Sequence, residues 1–321
     1  MIADMFDFDA AVSAPFRMQP GLRRMADDAL HLTPVGPGSR HQREKLAVLS
    51  AMPLQALQHR PGFDASPALY ALAAHAAREH PRSFAWDGQR AAASALGVEV
   101  QGEQVEDLAA GSFGLGDEVG RCLRGLPAEW RLAGLLCLAF DDDFALVDGA
   151  SGSLPWLAVA LPSHWAPQDK IGRHIREVHA PVADNALLPR AGEHLMRMVC
   201  GPERWERFVW HVTRHPRLNA HPADVDPAPW AADAFADVDA PRAWWRTERQ
   251  TFIALPGLTQ AVFTIHVDVE PLAAAIDSTD KATRLHEAIA TMSNSVLAYR
   301  SLSAVREPLL AWLSGRTARP A

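Results

Sequence analysis

Residues 244–255 read WWRTERQTFIAL, residues 256–259 read PGLT, and residues 261–269 read AVFTIHVDV. The first and third segments are rich in the aromatic and β-branched side chains that strands favour. The Pro-Gly pair between them marks a tight turn. The three segments therefore predict an antiparallel β-hairpin, and this is the clearest structural signal in the chain.

The first strand of this hairpin carries an unusual density of charge. Successive side chains of a strand point to opposite faces, so Arg246, Glu248 and Gln250 share one face and Arg249 lies on the other. One interpretation is a solvated sheet face with a cross-strand salt bridge, which would stabilise little. The other is a partly buried carboxylate between arginines, because the aromatic pair at 244–245 indicates burial and such groups are often functional.

The segment before the hairpin predicts further strands. Apolar runs occupy residues 135–140, 144–147 and 154–161, and Asp, Gly and Ser turns separate them. Short apolar runs joined by turn residues are typical of an antiparallel meander. Together with the hairpin, they predict an antiparallel sheet in the middle of the chain.

Apolar spacing and Ser, Gly and Pro boundary residues predict helices on either side of these strands. The predicted helices are Arg43–Leu57 (interrupted at Pro53), Ser66–His80, Glu103–Ala110, Pro127–Leu132, Gln168–His179, Pro202–His215, Ser278–Tyr299 and Leu302–Ser314. Residues 216–242, rich in Pro, Ala and Asp, are predicted to form a loop. This order favours an α+β fold over an alternating α/β fold. We expect a single domain, 1–321, in which residues 1–133 are mainly helical, residues of about 134–270 form a sheet core, and residues 271–321 form C-terminal helices.

Composition limits the function classes. The 321 residues are 48 % hydrophobic and 21 % charged, with a net charge of −7, so the basic footprint of a nucleic-acid or membrane-surface binder is missing. Residues 1–7 lack the pattern of a secretory signal, and no apolar run reaches the roughly 18–20 residues that span a bilayer. Cys122, Cys137 and Cys200 are widely spaced, which is typical of reduced, buried thiols. We expect a cytoplasmic protein that binds neither nucleic acid nor membrane.

Familiar nucleotide and nucleophile motifs are missing from the sequence, but it contains 14 histidines. There is no GxGxxG, phosphate loop or GxSxG pattern. His211 and His215, four apart on a predicted helix, share a face that could bind a metal. No acidic partner for them is evident, and paired histidines of this kind are more often surface or capping residues.

His179 stands at the end of a predicted helix, immediately before Ala180-Pro181, where proline stops the helix. It follows Ile175 by one turn, at the edge of the apolar stripe. An imidazole beside an apolar surface suits an axial haem ligand. His174 flanks the other edge of the same stripe, so spacing alone favours a partly buried histidine without a ligand role.

Two blocks of sequence resemble the alpha-subunit family of haem-dependent oxidative N-demethylases. Residues 161–165 (LPSHW), 170–172 (KIG) and 178–182 (VHAPV) resemble the family block fPSxW…KxG…IHxPVP. Residues 246–251 (RTERQT), with the Leu-Pro that follows at 255–256, resemble the block RxERQTLxRLP. Weaker matches are Pro15–Met18, Asp142–Leu146 and Tyr299-Arg300, so the resemblance extends over nearly the whole chain.

The resemblance implies a PAS-like core in which haem b lies between a helix and an antiparallel sheet. It implies that His179 is the proximal ligand of the haem iron. Arg246 and Arg249 become candidates for binding the haem propionates, because guanidinium groups match carboxylates. Glu248 becomes the candidate catalytic residue, holding a cationic amine or relaying its proton.

The implied activity is that of a haem-dependent monooxygenase that demethylates a small methylated amine and releases formaldehyde. Electrons would come from partner reductase subunits that carry flavin and an iron–sulfur cluster, since the three cysteines here cannot ligate a cluster. The chain departs from the family pattern at Ala220, where a tryptophan is expected, at Ala254, where an arginine is expected, and in an Asp-Asp pair before the second strand. A non-catalytic haem or small-molecule sensor, and a scaffold without haem, are the alternatives.

Overall fold

The computed structural model describes residues 6–108, 116–184 and 188–317. The strands are β1 (Arg23–Arg24), β2 (Leu57–His59), β3 (Phe84–Trp86), β4 (Arg90–Ala93), β5 (Val98–Gln101), β6 (Gln104–Asp107), β7 (Asp142–Asp148), β8 (Ser153–Ala158), β9 (Trp205–Thr213), β10 (Trp244–Ala254) and β11 (Gln260–Pro271). The helices are α1 (Phe8–Ala11), α2 (Arg40–Ala51), α3 (Pro53–Ala56), α4 (Ser66–Glu79), α5 (Glu118–Gly125), α6 (Arg131–Ala139), α7 (Ile175–His179), α8 (Leu188–Val199), α9 (Leu272–Ala275), α10 (Thr279–Ala290), α11 (Asn294–Tyr299) and α12 (Arg306–Thr317).

The strands form two antiparallel sheets. The large sheet has the order β1-β9-β10-β11-β7-β8-β2, and the small sheet has the order β3-β4-β5-β6. The predicted α+β class is therefore confirmed. The small sheet lies in the region of the chain for which the sequence indicated mainly helices.

The predicted hairpin is the centre of the large sheet. β10 pairs with β11 along its whole length, with Glu248 opposite Val267, and its other edge pairs with β9, where Glu248 is opposite Val209. The turn follows the predicted position, since Leu255 N donates to Gln260 O across it at 2.9 Å. Both strands lie inside the sheet, which explains why their side chains are largely buried.

Several predicted elements are corrected. The predicted helix Pro202–His215 contains strand β9, whose aromatic and β-branched residues suit a strand with both faces covered. The run 135–140 belongs to helix α6, in which residues 133–139 are all buried, so no periodicity marks it as helical. The predicted helix Glu103–Ala110 contains strand β6, and its last two residues lie outside the described residues. The predicted helix Gln168–His179 is shorter and comprises a 3-10 turn at Pro167–Asp169 followed by α7.

The large sheet has two faces that carry different side chains. One side, here called the Glu248 face, carries Arg207, Val209 and His211 of β9, Arg246, Glu248 and Gln250 of β10, and Ile265 and Val267 of β11. The opposite side, the Arg249 face, carries Glu206, Trp210, Trp245 and Arg249. The C-terminal helices pack against Trp210 and Trp245 of the Arg249 face, whereas α8 contacts β10 and packs against α7.

Candidate functional site

Arg246 is buried completely at one end of the Glu248 face. Its guanidinium donates to Ser163 Oγ at 2.7 Å and to the carbonyl oxygens of Leu161, Pro162, Arg217 and Leu218 at 2.8–3.3 Å. Burial lowers its pKa to about 10, which leaves it charged at neutral pH. Because carbonyl groups already accept from both terminal nitrogens, Arg246 holds two loops together and offers little to a ligand.

The two loops held by Arg246 also bond to each other. His164 N donates to Ala220 O at 3.1 Å, and Ala220 N donates to Pro162 O at 3.0 Å. His164 has a φ of 63°, the left-handed region that a residue with a side chain rarely adopts. Strain of this kind persists where the surroundings impose it and is frequent at binding sites. We call residues 161–165 and 217–221 the roof loops.

His179 is the last residue of α7. Its Nδ1 lies 2.9 Å from the carbonyl oxygen of Ile175, one turn earlier, so a proton on Nδ1 donates to that carbonyl. The tautomer that results carries its lone pair on Nε2, which is the state of a histidine that ligates a metal. The start of α7 is fixed by a capping box between His174 and Glu177, and Lys170 Nζ donates to Val178 O at its end.

Burial lowers the pKa of His179, and the positive charges of Arg207 and Lys170 lower it further. The imidazole is therefore neutral at pH 7. Arg207 extends from β9 on the Glu248 face and is near enough to His179 for its charge to act on the imidazole. The predicted ligand therefore lies near a residue that shares a face with Glu248.

Arg207 is the residue that the sequence analysis missed. It is opposite Gln250 on the neighbouring strand, and its Nε is buried without a hydrogen-bond partner among the residues that the structure describes. Burial lowers its pKa, while the negative charge of Glu248 and the presence of Tyr299 raise it. A buried guanidinium donor without an acceptor indicates that an anionic or carbonyl group is expected there.

Glu248 is the negative group whose charge acts on both Arg207 and Tyr299. Its side chain is 6 % exposed, and its Oε2 accepts from Gln250 Nε2. Tyr299, at the end of α11, is close enough that the charge of Glu248 adds to burial in raising the pKa of its hydroxyl, against the lowering effect of Arg300. Burial of Glu248 favours the functional interpretation of the charged strand over a solvated face.

His211 and His215 do not share a helical face. His211 is on strand β9, and His215 follows the strand; their rings lie around that of His164, at 6.4 and 5.2 Å between ring centroids. Burial and then the charge of Arg246 lower the pKa of His164 to about 3 and that of His215 to about 4. The helix on which the predicted metal pair depended is absent from the described residues, and the three neutral rings instead line the roof loops.

Arg249 is not involved in this arrangement. It lies on the opposite face, where its Nε and Nη2 contact Glu206 at 3.1 and 3.0 Å and its Nη1 donates to Leu30 O. The structure therefore places Glu248 and Arg207 on one face of the sheet, and the charge of Arg207 acts on both His179 and Tyr299. It places Arg246 beneath the roof loops, and Arg249 on the far side.

The Glu248 face carries side chains of the kind that a haem site uses. A row of aromatic residues, Trp205, Phe252 and Phe263, crosses the Glu248 face, and the rings of Phe252 and Phe263 stack at 4.9 Å. Trp165 and Val178 are also only partly buried although they pack on the core. A neutral histidine, an unpaired guanidinium Nε and an aromatic wall are the ligand, counter-charge and apolar surface that haem requires.

Comparison with known proteins identifies the family. Residues 44–310 match the profile of the family described as haem-dependent oxidative N-demethylase, alpha subunit-like. The chain belongs to this family. A search of curated proteins finds no match. Across the described stretches of the chain, no helix combines the length and apolar character needed to cross a membrane.

Proposed function

We propose that this member of the family is a haem-dependent oxidative N-demethylase subunit that binds haem b through His179, in a PAS-like core of about residues 134–270. The observation that carries the proposal is the position of His179. The residue ends α7 with Nδ1 2.9 Å from the Ile175 carbonyl oxygen, and the charge of Arg207, which lies on the Glu248 face, acts on its imidazole. Membership of the family supplies the chemistry that such a ligand would support.

The haem propionates require cationic partners, and we assign this role to Arg207. Its Nε is buried without a hydrogen-bond partner among the described residues, and its charge acts on His179. Arg246 is occupied by five hydrogen bonds to the roof loops, and Arg249 is paired with Glu206 across the sheet. A carboxylate would complete the hydrogen bonding of Arg207 without displacing an existing partner.

When bound, haem supplies the dioxygen chemistry that oxidises an N-methyl group. The residues around it do the binding. Glu248 accepts an N–H of the protonated amine, while Gln250 fixes one of its carboxylate oxygens. The aromatic row at 205, 252 and 263 limits the access of water. The substrate class that fits is a small methylated amine, whose product would be the shorter amine and formaldehyde.

Electrons must come from a partner. Burial raises the pKa of the Cys137 thiol to about 12 and that of Cys200 to about 11, so neither is a thiolate at neutral pH, and the three cysteines lie on separate elements. We propose reductase subunits with flavin and an iron–sulfur cluster as donors. The purified chain should release formaldehyde from a methylated amine only when such a reductase, or peroxide, is added. Steady turnover with a reduced nicotinamide alone would contradict the assignment.

The haem ligand is tested by absorption spectroscopy. Protein expressed with haem supplementation should show a Soret band that His179→Ala abolishes or shifts strongly. The matched control is His194→Ala, which removes an exposed histidine from the adjacent helix α8. His174 is a poorer control because it caps α7.

The outcomes separate the alternatives. An unchanged spectrum in His179→Ala would show that another residue ligates the iron. Colourless wild-type protein after haem supplementation would favour a scaffold without haem. Haem that is bound through His179 but inert with every donor and amine would favour a sensor.

A further inference from the structure

A cluster of buried histidine and carboxylate side chains lies apart from the haem site, between α4 and the loop that precedes α2. His75 and Glu79 are one turn apart at the C-terminal end of α4, and His31 comes from the loop. Each residue offers one ligand atom, and the three atoms lie within 4.8 Å of one another. We propose that His31, His75 and Glu79 form a binding site for a divalent transition metal of the zinc class.

The distances suit zinc. Glu79 Oε1 lies 3.2 Å from His31 Nδ1 and 3.5 Å from His75 Nε2. Ligand atoms about 2.0–2.2 Å from a tetrahedral zinc are separated by about 3.4 Å, so these atoms could bind a metal with little movement. His75 Nε2 is buried and makes no hydrogen bond with any described residue, although it is this close to a carboxylate. That geometry is expected of two ligands that face a common metal.

The electrostatics also favour a cation. The side chain of Glu79 is 8 % exposed, and within residues 6–108, 116–184 and 188–317 its ion-pair partners are all histidines: His31, His75 and His80. A buried carboxylate without a lysine or arginine is expensive to maintain. The C-terminal end of α4 adds partial negative charge at the same place. A divalent ion would neutralise both.

The surroundings orient the proposed ligands. Glu79 Oε1 accepts from His31 N at 2.8 Å, and Oε2 accepts from Leu32 N at 2.9 Å, so the carboxylate is fixed in position. Ligating carboxylates are held in this way at metal sites. The neighbouring His80 donates through Nε2 to Leu32 O at 2.9 Å and is not a proposed ligand. Three protein ligands leave a fourth position for water.

The metal would join the loop to α4. The same loop receives hydrogen bonds from Arg204, at the carbonyl oxygens of Ala26 and Asp27, and from Arg249 at Leu30 O. Zinc should therefore stabilise the packing of this loop on the Arg249 face. Zinc binding at this cluster does not depend on the binding of haem.

The test is zinc binding by the full-length chain after chelator treatment, measured by calorimetry with Zn²⁺ and by the visible bands of Co²⁺. We expect one ion per chain and a rise in Tm on adding Zn²⁺. His75→Ala and Glu79→Gln should each abolish stoichiometric binding and the Zn²⁺-dependent rise in Tm, whereas the exposed-site control His194→Ala should keep both.

Two results would overturn the inference. One is wild-type protein that binds less than stoichiometric Zn²⁺ and shows no rise in Tm, which would make the cluster a hydrogen-bonded clamp. The other is full binding in both His75→Ala and Glu79→Gln while each remains folded by circular dichroism. His179→Ala, tested in parallel, shows whether any zinc occupies the proposed haem ligand instead.

Discussion

The two faces of the large sheet differ in how their charged and polar side chains are paired. On the Arg249 face, Glu206 bonds to both Arg249 and Arg23, and Thr251 bonds to Thr264. On the Glu248 face, Arg207 Nε and Trp205 Nε1 are buried without hydrogen-bond partners among the described residues. The Arg249 face also has a buried polar atom without a hydrogen-bond partner among the described residues, His266 Nδ1. Its charged groups are nevertheless matched within the chain, whereas Arg207 is not.

Because of this difference, one strand, β10, carries structural side chains on one face and candidate functional side chains on the other. Residues 246 to 250 alternate between the faces, so a single run of sequence supplies both the framework and the site. Matched charges hold elements together, while a buried donor without a partner among the described residues indicates that an external group is expected. Arg246 is the exception on its own face, because its donors are used by the roof loops.

The largest effect is expected for Arg246→Ala. The change removes five hydrogen bonds and leaves buried carbonyl groups of the roof loops without donors. We expect the free energy of unfolding to fall by about 3–5 kcal/mol. Chemical denaturation measures this. A variant that keeps wild-type stability but loses haem would show that Arg246 serves the cofactor and that the two faces are less distinct than proposed.

Glu206→Gln tests the framework on the Arg249 face. One carboxylate charge between two arginines is lost, although an oxygen acceptor remains. The expected loss of stability is about 2–3 kcal/mol, with haem content unchanged below the melting temperature. Denaturation and the Soret absorbance of the same sample measure both. Unchanged stability would mean that the ion pairs with Arg249 and Arg23 contribute nothing.

Glu248→Gln is the matched change on the Glu248 face. We expect stability to change by less than about 1 kcal/mol. The KM for the amine should rise about tenfold, equivalent to about 1.4 kcal/mol, because the cationic substrate loses its counter-charge. Formaldehyde release against amine concentration, with a reductase present, measures it. Glu206→Gln should leave this KM unchanged. A loss of folding in Glu248→Gln would make Glu248 a structural partner of Arg207.

The smallest effect concerns pH. Burial lowers the pKa of His215 in the folded chain to about 4, whereas the ordinary pKa of an unfolded histidine is 6.5. Between these two pH values, the unfolded chain binds a proton at this residue more readily than the folded chain does. Its contribution to stability is complete above pH 6.5 and is lost as pH falls toward 4. When the pH falls from 7.5 to 5.5, the free energy of unfolding should therefore decrease by about 1 kcal/mol less in His215→Gln than in wild type.

The measurement for His215 is the difference between variant and wild type, because Asp142 acts in the opposite direction. Burial raises the pKa of Asp142 to about 7, so its contribution favours the folded state at low pH and declines as pH rises toward 7. That effect is common to both proteins and cancels in the comparison. Parallel curves for variant and wild type would contradict the buried, neutral state of His215.

The sequence predicted the hairpin and the opposite orientations of Glu248 and Arg249, because strand alternation is a local property. It did not predict β9, because a strand covered on both faces loses the simple apolar alternation. The Trp, Phe and Val content of residues 205–212 was the signal that could have indicated a strand. Arg207 and Tyr299 reach the site only through strand pairing and helix packing, which no local pattern specifies. His179 was identified by its helix-ending position, and its role stays a prediction.

The end of α11 also protects an open sheet edge. β1 pairs with β9 only at residues 205–206, and further along Arg300 Nη1 donates to the carbonyl oxygen of Trp210 while its guanidinium lies 4.6 Å from the centroid of the Trp210 ring. An uncovered strand edge is a template on which another chain can add a strand and begin to aggregate. The neighbouring Tyr299 is near enough to Glu248 for the carboxylate charge to raise the pKa of its hydroxyl. Unfolding of this one short helix would thus expose the edge of β9 to pairing with another chain. It would also displace Tyr299 from Glu248, so damage to the candidate site and aggregation would arise together.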